Sequence, residues 1–240
     1  LDVANPSDGG KLDMTAFLKN AYVQYKNDRL TAKFGMIGLN QFGMQEKMWG
    51  GRYLYKSFQD QNKFGHSADL GIFASYKLID QITIDAAITN GDGYKSVEGD
   101  SIFKYSAGAT FNFIDGLDIR AYYDYMGMTD AQQTLSFYAG YSKENIKIGA
   151  EYNQQLNYGT SLGKDRTGLS FYGSYKVKNT RLFARYDQLS SVTFAGATDP
   201  WNNGKDGQAI ITGIEFNPVK GVKITPNYQL WMNNDGSSDE

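Results

Sequence analysis

The sequence predicts an all-β chain, a transmembrane antiparallel up-and-down β-barrel. Three observations carry this. Short segments alternate strictly between apolar and polar residues. The connections between them alternate between short and long. Aromatic residues make up 15% of the chain, with 27 Gly against 4 Pro. Tyr, Phe and β-branched residues suit a pleated surface, and scarce proline leaves amides free for ladders.

Alternation is the primary strand signal. In LTAKFGM at 30–36, one face carries Leu30, Ala32, Phe34 and Met36, and the other Thr31, Lys33 and Gly35. Windows 82–88, 119–125, 146–152 and 222–230 divide the same way. Across all five, the apolar face has no charge; the other holds Lys33, Asp85, Arg120, Asp124, Lys147, Glu151 and Lys223.

Twelve strands are expected, at 12–26, 29–36, 67–78, 81–89, 102–113, 117–126, 133–142, 146–154, 167–177, 180–188, 208–217 and 222–232. Short connections fall at 27–28, 79–80, 115–116, 143–145, 178–179 and 218–221, several with the Asn, Asp or Gly of tight hairpins. Long ones fall at 37–66, 90–101, 127–132, 155–166 and 189–207. Strands joined by short turns are antiparallel. So many strands exceed the comfortable limit of an open twisted sheet, and closure removes its edges.

A soluble barrel or sandwich points its apolar face inward, whereas a membrane barrel turns it to lipid and lines its lumen with the polar face. Three features favour the membrane form. A barrel this wide cannot be filled by apolar side chains. The inward set mixes both signs: Lys33, Asp85, Arg120, Asp124, Lys147, Glu151, Arg181, Arg185, Asp187, Glu215 and Lys223. Tyr25, Tyr123, Tyr125, Tyr152, Tyr186 and Tyr228 share the apolar face, mostly near strand ends, as an interfacial girdle requires.

Composition excludes other classes. The absence of Cys removes thiol catalysis, disulfides and Cys-ligated zinc. A net charge of −2 without a basic cluster offers no nucleic-acid surface. Mean hydropathy is −0.50, and no run of about 18 apolar residues exists for a membrane helix. Leu1 opens no signal peptide, so a mature or shortened chain is expected. With short turns on the periplasmic side, both termini fall on the side of the long loops. That predicts at least one strand beyond each end, and about fourteen to sixteen in the intact barrel. Residues 1–240 then form one incomplete barrel domain.

The connection at 37–66 contains FGMQEKMWGGRYLYKSF at 42–58. Loops this long are uncommon in compact domains and usually functional, and this one is too apolar for disorder. LKNAYVQY at 18–25, LTAKFGMIGLNQFGMQEKMWGGRY at 30–53, SADLGIFASY at 67–76 and ITNGDGYK at 88–95 resemble the Gram-negative outer-membrane family labelled phosphate-selective porin O and P. Gly51 departs from the family, which has an aromatic residue there, and looser local packing is expected. Beyond residue 95 only generic porin hairpins are legible.

The resemblance implies passive diffusion of small hydrophilic solutes or ions, such as phosphate and other anions, across a bacterial outer membrane. It implies no cofactor and no covalent chemistry. The implied partners are outer-membrane lipid and lipopolysaccharide and the solutes themselves, with a homotrimer or larger outer-membrane protein complex left open. It also suggests that 42–58 folds into the lumen, aromatics on the wall, with Glu46, Lys47, Arg52 and Lys56 facing a constriction. QEKMW would form a helical turn ended at Gly50–Gly51. The alternative is an extracellular cap over the barrel mouth. For the whole chain the alternative is a barrel that docks partner proteins through its long loops.

Other constellations are weaker. His66, Ser67 and Asp69 suggest a triad, but neighbours on a strand point apart, so no enzyme is expected. Asp92, Glu98 and Asp100, or Asp199, Asn203 and Asp206, supply only some of the six or more oxygens calcium takes, so no metal is assigned. Arg181 and Arg185, joined by Arg120, could form a basic ladder for anions. Inward acids are nearly as numerous, and pairing with Asp124, Glu151 and Glu215 is the favoured outcome.

Overall fold

The structure is a computed structural model and describes residues 2–4, 15–96, 99, 101–236 and 238–239. β1 (Asp2–Ala4) and β2 (Thr15–Phe17) pair with each other in a small separate sheet. Every later strand joins one antiparallel meander in chain order. These are β3 (Ala21–Lys26), β4 (Leu30–Gly38), β5 (Ala68–Ile79), β6 (Ile82–Thr89), β7 (Lys104–Ile114), β8 (Leu117–Met126) and β9 (Gln132–Lys143). They continue with β10 (Ile146–Leu156), β11 (Arg166–Val177), β12 (Thr180–Ser191), β13 (Gly207–Phe216), β14 (Asn227–Asn233) and β15 (Ser238–Asp239). Among the described residues, edges β3 and β15 are not paired with each other.

The twelve expected strands correspond to β3–β14, with two corrections. The first is shorter than 12–26. Its ladder on β4 ends at Ala21↔Met36, while Ile37 and Gly38 pair only with β5, so 18–20 have no wall partner. Residues 12–14 lie outside the described residues. The last begins late, because Pro226 has no amide to donate; only a bridge between Phe216 and Ile224 precedes it.

Turn chemistry fixes the hairpins. The Asn27 side-chain oxygen accepts the amides of Arg29 and Leu30 at 3.0 and 2.7 Å. Glu144 and Lys178 take positive φ of 51° and 52°, as tight primed turns require.

The alternation is inside out. Phe34, Ile72, Ile84, Ile119, Phe137, Ile148, Phe171, Leu182 and Ile214 are exposed, while Asp85, Arg120, Asp124, Glu151, Asn153, Ser170 and Arg185 are buried. A continuous apolar band of that size is unsuited to water but is the lipid face of a membrane barrel. Tyr25, Tyr76, Tyr141, Tyr175 and Tyr228 lie exposed toward the short turns, and Tyr105, Tyr123 and Tyr152 toward the long loops. Of the girdle expected from sequence, Tyr125 and Tyr186 are half-buried.

Candidate functional site

Between β4 and β5 the chain turns inward and packs on the polar face. Going in, it forms α1 (Gly43–Trp49), which lies against β9 and β10. Coming back, it forms α2 (Phe58–Gln61), which meets β11. The helix α1 is amphipathic. Gln45, Met48 and Trp49 face the wall, and Gly50 closes the helix in the left-handed region at φ 63°. The expected turn is therefore present; α2 had no sequence signal.

The apolar core lies between this segment and the wall. Met48 and Trp49 pack with Tyr138, Tyr172, Phe183 and Ile211, supported by Met44, Leu54 and Tyr55. Trp49 meets Tyr172 and Phe183 edge-on at 5.9 and 5.8 Å, and its indole N–H donates to the Tyr55 carbonyl at 2.9 Å. Each such large side chain contributes roughly 1.5–3 kcal/mol of burial. Gly51 does not loosen this packing. A Cβ there would stand 2.7 Å from the Trp49 ring, so an aromatic residue has no room. Polar groups complete the seam. The Gln59 amide donates to Ser136 at 3.0 Å, and Tyr172 donates to the Gln45 carbonyl at 3.2 Å.

The other side of the segment is open. Gly43, Glu46, Lys47, Gly50, Arg52 and Tyr53 line a concavity of about 590 Å³. Lys47 is exposed, and among the described residues it has no ion pair. Arg52 lines the concavity as part of a cluster, bridging Glu46 and Asp60. Burial opposes its charge, but Asp60 and Glu46 outweigh that and raise its pKa above the ordinary value. The Glu46–Arg52–Asp60 cluster by itself therefore carries one negative charge, with Lys47 beside it. Lys56 is exposed but does not line the concavity.

Tyr53 donates to Glu215 at 2.6 Å, and burial together with that carboxylate raises its pKa, keeping the phenol neutral. Glu215 also pairs with Arg181 at 2.8 Å and with Lys223 at 3.3 Å.

Of the predicted inner-wall charges, most are paired. Arg120 grips Asp85 through two hydrogen bonds of 2.7 and 2.9 Å. Asp124 takes Lys104 at 2.7 Å rather than an arginine, and Tyr122 at 3.0 Å. Asp187 takes Arg185. Glu151 is buried and accepts from Asn153 at 3.2 Å without an ion pair among the described residues. Lys33 lies 5.2 Å from the Tyr22 ring centre and 5.5 Å from that of Phe73. Lys147 is exposed in a second cleft of about 370 Å³ near the short turns, with Lys176, Arg181, Glu215 and Lys223. Among the described residues the wall is thus largely self-neutralised and shows no free arginine ladder.

Sequence reasoning missed Asp60, Lys104, Arg166 and the inward aromatics Tyr138, Tyr172 and Phe183. The signal was available: apolar residues at inward positions of strands otherwise polar on that face. Asp69 holds the amides of Leu70 and Gly91 at 2.8 and 2.6 Å, a loop support rather than a triad member. Asp206 is engaged by Ser191 and Asn202 in the same way. Glu98 and Asp100 lie outside the described residues.

An inverted antiparallel meander with a connection folded onto its inner wall is the porin type of β-barrel. Solved structures agree. OmpT of Vibrio cholerae superposes with a TM-score of 0.63 at 13% identity, over 89% of this chain and 70% of its own. OmpF of Salmonella typhi, in complex with daunomycin, gives 0.63 at 14% identity, over 83% and 66%. OccD3 (OpdP) of Pseudomonas aeruginosa gives 0.58 at 12% identity, over 91% and 59%. The chain therefore spans roughly three fifths to seven tenths of these proteins. No protein-family model and no curated protein matches the sequence.

Proposed function

We propose that this chain forms the wall and the constriction of a passive diffusion channel in a bacterial outer membrane, carrying small hydrophilic solutes or ions. The carrying observation is the inversion together with the inner segment: lipid-compatible residues outside, buried ion pairs inside, and a segment packed on the inner wall with a charged, open concavity beside it. Charged side chains at a constriction set ion selectivity. A preference for anions such as phosphate is the finer reading. It is supported by the exposed Lys47, Lys56 and Lys147, without ion pairs among the described residues, and by the resemblance at 18–95.

The test is planar-bilayer conductance with reversal potential in a salt gradient, repeated on Arg52→Glu. Stepwise conductance and a reversal potential displaced toward cations support a channel filtered at this segment. Conductance with an unmoved reversal potential places the filter elsewhere. Folded, heat-modifiable protein that does not conduct would overturn the channel and favour a docking barrel.

A further inference from the structure

We infer that Arg166, Arg181 and Arg185 are positioning residues: they hold the inner segment by its backbone and so set the width of the passage, rather than meeting the solute. This rests on the channel reading above.

The three guanidinium groups reach three carbonyls spaced along the segment. Arg181 Nη1 donates to Trp49 O at 3.2 Å, Arg185 Nη1 to Lys56 O at 2.8 Å, and Arg166 Nη2 to Lys63 O at 2.9 Å. The first is where α1 ends, the second lies between the helices, and the third follows α2. These are the places where an irregular backbone has no ladder partner, and a part-buried carbonyl there is satisfied by the wall.

Further donors of each fork are engaged on the wall. Arginine has five N–H groups in a fixed fork. Arg185 uses Nε and Nη2 on Asp187 at 2.8 and 2.7 Å. Arg166 uses Nε and Nη2 on Gln155 at 3.0 and 2.6 Å. Arg181 uses Nη2 on Glu215 at 2.8 Å. The flat faces are covered as well. Arg166 sits 4.4 Å from Phe64 and 4.0 Å from Tyr158, and Arg185 sits 5.1 Å from Trp49 and 5.2 Å from Tyr55. Arg185 is 2% exposed and Arg166 5%. A passing anion would have to displace a carboxylate, a carbonyl and two rings to reach Arg185, and a side-chain amide, a carbonyl and two rings to reach Arg166.

The fork is what the arrangement uses, and lysine keeps the charge without it. The experiment therefore compares Arg185→Lys with Arg185→Gln in the full chain folded in lipid. It reads amide hydrogen exchange over 50–64, single-channel conductance and reversal potential. Loss of a charge-assisted hydrogen bond speeds exchange in the segment about ten-fold. The expected result is that both variants do so, that both change conductance, and that Arg185→Lys leaves the reversal potential in place. Exchange and conductance of Arg185→Lys equal to the wild type, with a reversal potential shifted only by Arg185→Gln, would overturn the proposal. Arg181→Lys, at a more exposed position, gives the same reading if Arg185→Lys does not fold. A folded wild type that does not conduct removes the channel reading, and exchange then still reads the anchoring.

Discussion

The Phe58 ring occupies the space above Gly168: a Cβ on residue 168 would lie 2.1 Å from the ring's Cζ. The inner segment thus seats in a notch that the β11 backbone leaves open, 110 residues along the chain. Gly168→Ala is expected to push Phe58 out of contact with Phe64, whose ring centre is 5.7 Å away. Overpacking of this kind costs about 1–3 kcal/mol. The check is limited proteolysis within 50–62, which should accelerate while the barrel itself stays folded.

Trp49 closes the same seam nearer the short turns. Trp49→Ala removes two edge-on ring contacts and the bond to the Tyr55 carbonyl. Truncations of this size cost about 3–5 kcal/mol. The segment should detach from β11 and β12, and conductance should rise and become noisier. An unchanged conductance trace would show that the segment does not limit the passage.

Arg120 and Asp85 are both buried. Arg120→Ala leaves a carboxylate without its partner, at a cost of about 3–5 kcal/mol. The double variant Arg120→Ala with Asp85→Ala should be less destabilised than Arg120→Ala alone. Urea midpoints in detergent read this directly, and equal midpoints would mean that the pair is not coupled.

Burial, partly offset by the Trp231 hydrogen bond, pushes the Tyr55 phenol up to about 12. Between its unfolded value of 10.0 and about 12, the unfolded chain loses this proton while the folded chain keeps it. Stability should therefore fall as pH rises through that window, by roughly 2–3 kcal/mol at its upper end, and be unaffected below it. Tyr55→Phe should remove that part of the alkaline slope. A slope identical to the wild type would count against the burial.

The sequence by itself determined the strands, their order and the inversion. Alternation has a period of two, and turn chemistry acts within four residues, so both are written locally. It also exposed 42–58 as a segment needing an apolar surface, and α1 within it. The errors at the first and last strands came from pairing: which residues of β4 remain for β3, and the amide that Pro226 lacks.

Only the tertiary structure decided the site. The pairing of Arg52 was not legible, because Glu46 and Asp60 are brought to it by the fold of the segment, not by spacing. Arg120 reaches Asp85 two strands away across Gly108, where a Cβ would lie 2.3 Å from its guanidinium. Arg185 meets the carbonyl of Lys56, 129 residues earlier in the chain. Such partners are chosen by strand register and by the space that neighbouring side chains leave, and both exist only once the sheet has curved around the segment inside it.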